Sequence, residues 1–265
     1  MSRTTEVLYF VYPDADSLAR HAALRLVEQI EQAVSARGMA RIAISGGNTP
    51  RRMLELLADP KAEYRARVPW QSLELYFVDE RTVPPDHAES NYRMVREALL
   101  DQVPLKPEQV VRMQGELDTE EAAAKYESQI RMRFRLEGAE LPRFDVVTLG
   151  MGDDGHTASL FPHTEAIDAL GRIAVANHVP QKDTWRITLT WPVINQARDV
   201  FFLIQGADKA AVLARVLQGP FDPESLPTQL IRPVSGKLTM LLDSTAAAQL
   251  PPPGAEGFGR LEKTR

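Results

Sequence analysis

The sequence predicts a three-layer α/β/α fold built on a mostly parallel, Rossmann-like sheet. Three observations carry that reading. Short apolar runs alternate with helical patterns along most of the 265 residues, as in a chain of βα units. Two runs, Leu75-Tyr76-Phe77-Val78 and Val200-Phe201-Phe202-Leu203-Ile204, are apolar at every position, which suits strands covered on both faces. Glycine-rich turns follow two of the strands, and the C-terminal strand ends of an open parallel sheet are where ligands bind.

The elements follow in order. Residues 7–12 read as a strand, and 14–37 as an amphipathic helix stopped by Gly38, a residue that tolerates the left-handed turn at a helix end. A second strand covers 39–45 and a helix 50–58, with Asn48 or Thr49 as its cap and Pro50 at its first position. Residues 73–79 form a third strand, 91–103 a helix and 109–113 a short strand. Asp118 and Glu121 have capping-box spacing and open a helix that runs to about residue 137. Strands are expected at 144–149, 173–179, 186–190, 200–205 and 238–242, with helices at 192–198 and 207–217. No Pro/Gly/Ser-rich linker divides residues 1–250, so one domain is expected there, followed at 251–265 by a flexible tail rich in proline, glycine and charge.

Composition narrows the function classes. The formal net charge is −5 with both signs scattered, so no basic block marks a nucleic-acid surface. With no cysteine, disulfides, thiolate nucleophiles and thiolate metal sites are excluded. No apolar stretch is long enough for a membrane span, and no signal-peptide pattern opens the chain, so a cytoplasmic protein is expected. No metal-ligand spacing stands out among the five histidines, so no metal site is expected.

Four constellations carry the chemistry. The segment 146–162 runs from an apolar strand into Gly150-Met151-Gly152-Asp153-Asp154-Gly155-His156. Its Gly-x-Gly-x-x-Gly spacing matches a dinucleotide fingerprint, but two aspartates inside the loop would repel a pyrophosphate, so the glycines are read as shaping a tight loop around His156. An imidazole titrates near neutral pH, with an ordinary pKa of about 6.5, and a carboxylate two residues away, Asp154, can fix its tautomer. The segment therefore reads as an acid/base site. Ser45-Gly46-Gly47-Asn48-Thr49-Pro50 lies between a strand and a helix. It is either an ordinary βα turn or an anion site made by backbone amides. In Asp79-Glu80-Arg81, at a third strand end, Arg81 can grip a phosphate or carboxylate with its planar fork, and Glu80 reads as a local ion-pair partner. Arg186 begins a strand, and Lys209 lies in the first turn of a helix, where the dipole mildly disfavours a cation unless an anion is bound nearby.

Taken together in this order, the four pieces resemble the 6-phosphogluconolactonase family. The resemblance runs from about Ile42 to Leu242 and rests on 45–50, Asp79-Glu80-Arg81-x-Val83-Pro84 with Ser90-Asn91, 150–162, Arg186-Ile187-Thr188-Leu189-Thr190 and Gly206-x-x-Lys209-Ala210. It implies hydrolysis of 6-phosphoglucono-1,5-lactone to 6-phosphogluconate, the second step of the oxidative pentose phosphate pathway, without metal or redox cofactor. It further implies that His156 is the general base and that Arg81, Arg186 and Lys209, with the Gly46-Gly47-Asn48-Thr49 loop, handle the phosphorylated substrate. The expected partner is a small sugar-phosphate lactone rather than nucleic acid or membrane, and the expected state a monomer or small homo-oligomer. The loop amides of 150–155 are expected to stabilise the oxyanion.

The related glucosamine-6-phosphate deaminases, which share the fold, end the second motif Asp-Glu-Tyr and continue the histidine loop toward Ile-Ala-Phe-Asn-Glu. Arg81 and Thr157-Ala158-Ser159-Leu160-Phe161 differ from that pattern. An amino-sugar-phosphate deaminase/isomerase and a non-catalytic sugar-phosphate-binding protein are the alternatives. Three departures from the family pattern are present: Asn48 stands for a serine, 180–184 lacks the common Ser-Pro-Lys-Pro, and His163 stands where glycine is commoner.

Overall fold

A computed structural model describes residues 4–254 and 258–264. Chain order gives β1 (Thr4–Tyr12), α1 (Ala15–Arg37), β2 (Ala40–Ile44), α2 (Asn48–Ala58), β3 (Leu73–Phe77), β4 (Asp79–Arg81), α3 (Asn91–Ala98), β5 (Val110–Val111), α4 (Thr119–Phe134), β6 (Val146–Leu149), β7 (Ala174–Val179), β8 (Thr184–Leu189), α5 (Trp191–Ile194), β9 (Asp199–Ile204), α6 (Ala210–Gln218), β10 (Lys237–Asp243) and β11 (Gly259–Thr264). Eight strands form the main sheet in the order β11-β1-β10-β9-β6-β2-β3-β5. Every pairing in it is parallel except that of β11 with β1.

The two faces of this sheet bury different residues of the same strands. In β9, Phe201 and Leu203 join the apolar cluster under α1, α2 and α3, while Val200, Phe202 and Ile204 join the one under α4 and α6. That two-sided burial explains why the strand is apolar throughout, and it produces the three layers. Helix ends follow local chemistry. The Asp14 side chain accepts from the Ser17 amide at 2.7 Å at the start of α1, and Gly38 closes α1 at φ 75°. Asp118 caps α4, and Ser90 caps α3 through the Arg93 amide.

Three expectations are corrected. Strands 173–179 and 186–190 do not join the main sheet. β7 and β8 form a hairpin, and β8 pairs antiparallel with β4 to give a separate sheet, β4-β8-β7. Only 180–183 separates β7 from β8, too short for the crossover that parallel pairing needs. Second, the expected flexible tail contains β11, whose Leu261 lies opposite Val7 on the otherwise unpaired edge of β1, with the Phe258 ring 5.4 Å from that of Phe10. Residues 255–257 and 265 of that segment lie outside the described residues. Third, α2 begins at Asn48 after Gly47 (φ 105°), with no side-chain cap, so Pro50 is its third residue. No helix among the described residues is long and apolar enough to cross a membrane.

One buried hydroxyl completes the main sheet. β5 pairs with β3 only through Tyr76, so the backbone of Phe77 on that side has no strand neighbour. The Tyr126 hydroxyl of α4 takes its place, donating to the Phe77 carbonyl at 2.8 Å and accepting from its amide at 3.0 Å. Tyr126→Phe should cost about 1–3 kcal/mol, because both backbone groups would be left buried and unpaired. Urea unfolding measures this, and an unchanged midpoint would remove Tyr126 from that role.

Candidate active site

The C-terminal ends of β2, β6 and β9 open into a cleft of about 440 Å³, covered from the side by the small sheet. Gly46, Gly47, Asn48, Thr49, Arg81, His156, Arg186 and Lys209 all line it. Asp154 does not line it. Its carboxylate sits behind the imidazole, with Oδ1 2.5 Å from His156 Nδ1 and 3.0 Å from the His156 amide. Asp153 is exposed, and the sequence could not tell these two neighbours apart.

The loop is built around the ring. A side chain on Gly152 would collide with the imidazole and with the Asp154 carboxylate. The Phe161 ring stacks on His156 at 4.0 Å between centroids and 22° between planes. Burial alone would raise the Asp154 carboxyl, but the hydrogen bond and charge of His156 outweigh it and hold it at about 2. Near neutral pH that carboxylate is ionised and can only accept, so Nδ1 carries the proton. Nε2 is then the nitrogen able to take one.

Two of the loop amides expected to face the oxyanion, and that of His156, turn inward. Gly152 N–H donates to the His156 carbonyl at 2.9 Å, Gly155 N–H to the Gly152 carbonyl at 3.2 Å, and His156 N–H to Asp154. They hold the ring and leave no oxyanion cradle from these three groups.

The small sheet brings cations. Arg81 of β4 and Arg186 of β8 are direct cross-strand partners. Like charges so placed destabilise a pair. Burial and the neighbouring Arg81 push the Arg186 guanidinium below its ordinary value. Neither arginine makes a salt bridge among the described residues. Arg81 donates to the Glu89 carbonyl, and Arg186 to the Thr184 hydroxyl at 2.7 Å and the Trp185 carbonyl at 2.9 Å. Lys209, at the junction of a short 3-10 turn and α6, pairs with Asp208 at 3.1 Å. The uncapped start of α2 faces the same cleft, and first-turn amides there favour negative charge. Two nearby arginines without carboxylate partners call for an anionic ligand.

Glu80 is not the ion-pair partner expected. It is buried and accepts from the amides of Arg81 (2.8 Å), Asn91 (2.7 Å) and Tyr92 (2.8 Å) and from the Ser90 hydroxyl (3.1 Å), fixing β4 to the start of α3. Burial raises its carboxyl despite these bonds, and Asp79 adds to the rise. Asp79 braces the cleft wall, accepting from Ser159 Oγ at 2.8 Å and Asn91 Nδ2 at 3.3 Å. Sequence reasoning missed Phe161 and Lys182 as cleft residues. Phe161 closes the histidine motif and was legible there. Lys182 lies in a turn that carried no signal.

A parallel-sheet edge carrying a carboxylate-bound histidine and converging cations defines an α/β protein with a site for a small anionic ligand. The chain belongs to the family of glucosamine-6-phosphate isomerases/6-phosphogluconolactonase, which residues 13–240 match. It is similar to a 6-phosphogluconolactonase of Synechocystis sp., 40% identical over 237 residues that span 89% of this chain and 95% of that one. The human 6-phosphogluconolactonase is 43% identical over 180 residues, 68% of this chain and 69% of its own. The solved 6-phosphogluconolactonase of Trypanosoma brucei superposes with a TM-score of 0.81 at 28% identity, covering 92% of this chain and 98% of that one.

The clearance at Gly152 yields a test independent of function. Gly152→Ala should displace the imidazole and abolish the far-downfield proton resonance of an Nδ1–H bound to carboxylate, with the far-UV circular dichroism retained. An unshifted resonance would show that the loop absorbs the methyl without moving the ring.

Proposed function

We propose that the chain hydrolyses 6-phosphoglucono-1,5-lactone to 6-phosphogluconate, and that a single domain does so, with β11 as the edge strand of its main sheet. The observation that carries this reading is a histidine held by Asp154 at the mouth of a cleft lined by Arg81, Arg186 and Lys209. The names of the relatives support it. Arg186, Lys209 and the amide loop Gly46-Gly47-Asn48-Thr49 take the phosphate, with Arg81 beside Arg186. Holding the phosphate far from the reacting carbon fixes the lactone carbonyl against His156, so binding energy serves orientation.

The chemistry then needs one proton carrier. His156 Nε2 accepts a proton from water as the water oxygen bonds to C1, and the carbonyl π electrons move onto its oxygen. As the tetrahedral intermediate collapses, the C1–O5 bond breaks and the imidazolium gives its proton to O5. Asp154 holds the ring in the required tautomer and stabilises its charged form. One water is consumed, and the acid product loses a proton to solvent. An ester opened this way requires no cofactor. We place the protein in the cytoplasm, acting as a monomer or small homo-oligomer on a sugar-phosphate lactone rather than on nucleic acid.

Lactone opening with coupled product detection, corrected for spontaneous hydrolysis, tests the reading directly. Ammonia release from glucosamine 6-phosphate would point to a deaminase instead, and binding of 6-phosphogluconate without acceleration to a non-catalytic sensor. His156→Ala should lower kcat by at least about 100-fold, the range typical of a positioned general base, and near-normal turnover in the folded variant would refute its role. Arg186→Ala should raise KM about tenfold through loss of a charge-assisted contact, and an unchanged KM would remove it from the phosphate site.

A further inference from the structure

The inward-turned amides of Gly152, Gly155 and His156 raise a question of charge. Attack on C1 places a negative charge on the carbonyl oxygen beside His156, and a preorganised positive group there is commonly the largest single contribution to such catalysis. These three amides point into the loop instead.

The cleft holds one further cation at the histidine end. Lys182 lies in the turn between β7 and β8 and lines the cleft. Its Nζ stands 5.8 Å from the centroid of Phe161, the same ring that stacks on His156. The turn is docked on the histidine segment, since Gln181 Nε2 donates to the Pro162 carbonyl at 2.7 Å. Asp183 follows at φ 45°, a left-handed conformation that reverses the chain straight after Lys182. Among the described residues Lys182 has no carboxylate partner, whereas Lys209 has Asp208. The Phe161 contact and the Gln181–Pro162 bond place Lys182 beside the histidine segment.

We propose that Lys182 is a further catalytic residue, whose ammonium swings from the Phe161 face to the C1 oxygen and neutralises the oxyanion and then the product carboxylate. This rests on the hydrolytic reading above. The flexible four-carbon stem permits the movement, and the π face of Phe161 is a weak resting place that the ammonium leaves readily for a full negative charge. The electron pair displaced from the C1 carbonyl is the one Lys182 faces. It returns to form the carboxyl group as the C1–O5 bond breaks, with O5 protonated by the His156 imidazolium, so Lys182 gains and loses no proton.

The test compares wild type, Lys182→Met and Lys182→Arg in steady-state lactone hydrolysis. It also compares binding of 6-phosphogluconate with that of glucose 6-phosphate, which shares the phosphate but carries no charge at C1. Lys182→Met should lower kcat about tenfold and weaken 6-phosphogluconate about tenfold, the effect of losing one charge-assisted contact. Glucose 6-phosphate affinity should stay within about twofold, and Lys182→Arg should recover most of the loss. Equal weakening of both ligands would assign Lys182 to the phosphate and overturn the proposal. An active wild type with unimpaired Lys182→Met would overturn it alone. A wild type that binds 6-phosphogluconate without opening the lactone would overturn the hydrolytic reading and this role together.

Discussion

The candidate site depends on a space that no side chain fills. The His156 imidazole and the Asp154 carboxylate occupy the volume that a side chain on Gly152 would need. From that clearance follow the tautomer, the stacking on Phe161 and the direction of the loop amides. Gly155, at φ 84°, and Ala158, at φ 49°, bend the backbone on either side of the ring, and Thr228 secures the bend by donating through its hydroxyl to the Gly155 carbonyl at 2.9 Å. A loop that uses its own amides for rigidity has fewer to offer a ligand. Order at His156 is gained at the cost of local hydrogen-bond donors, and the positive groups of the cleft come from elsewhere in the fold.

Those side chains arrive on the small sheet, in an arrangement that is unfavourable without a ligand. Arg81 and Arg186 face each other across a two-strand ladder, and among the described residues each bonds its guanidinium to neutral oxygens. The repulsion is held by a buried scaffold. Glu80 gathers three amides, Asn91 ties Asp79 to α3, and Ser159 ties Asp79 to the histidine loop. Relief of like-charge repulsion adds to the affinity for a doubly charged phosphate, and a neutral sugar gains nothing from it. On the proposed reading, a preference for phosphorylated ligands follows from this arrangement of Arg81 and Arg186.

Much of this was legible in the sequence where local pattern and tertiary outcome agree. The unbroken apolar run of β9 signals burial on both faces, Gly38 signals a helix end, and the glycines around His156 signal a tight loop. What escaped depends on contacts between distant segments. β4 has three residues, two of them acidic or basic at the cleft, and becomes a strand only because β8 lies beside it more than a hundred residues later. β11 is short and mostly polar, and its strand character comes from the open edge of β1. The inward direction of the loop amides cannot be read from glycine spacing, which permits several backbone paths. Lys182 does not stand out in the sequence, because the departure of 180–184 from the family pattern leaves the shape of that turn open and does not reveal that it folds over Phe161.

The joint between His156 and the cations is a single residue. Val78 lies between β3 of the main sheet and β4 of the small one. Its N–H donates to Ile44 of β2 at 3.0 Å, and its carbonyl accepts from Leu189 of β8 at 2.8 Å. The main sheet sets the position of His156 through β6, and the small sheet sets that of Arg81 and Arg186. Their separation is therefore fixed by a residue bonded into both, reinforced by the Ser159–Asp79 contact beside it. A substrate gripped at one end and attacked at the other requires that distance to be constant, because small misplacements of reacting groups cost large factors in rate. Val78 is buried and apolar, has no chemistry of its own, and its two backbone hydrogen bonds register Arg81 and Arg186 against His156.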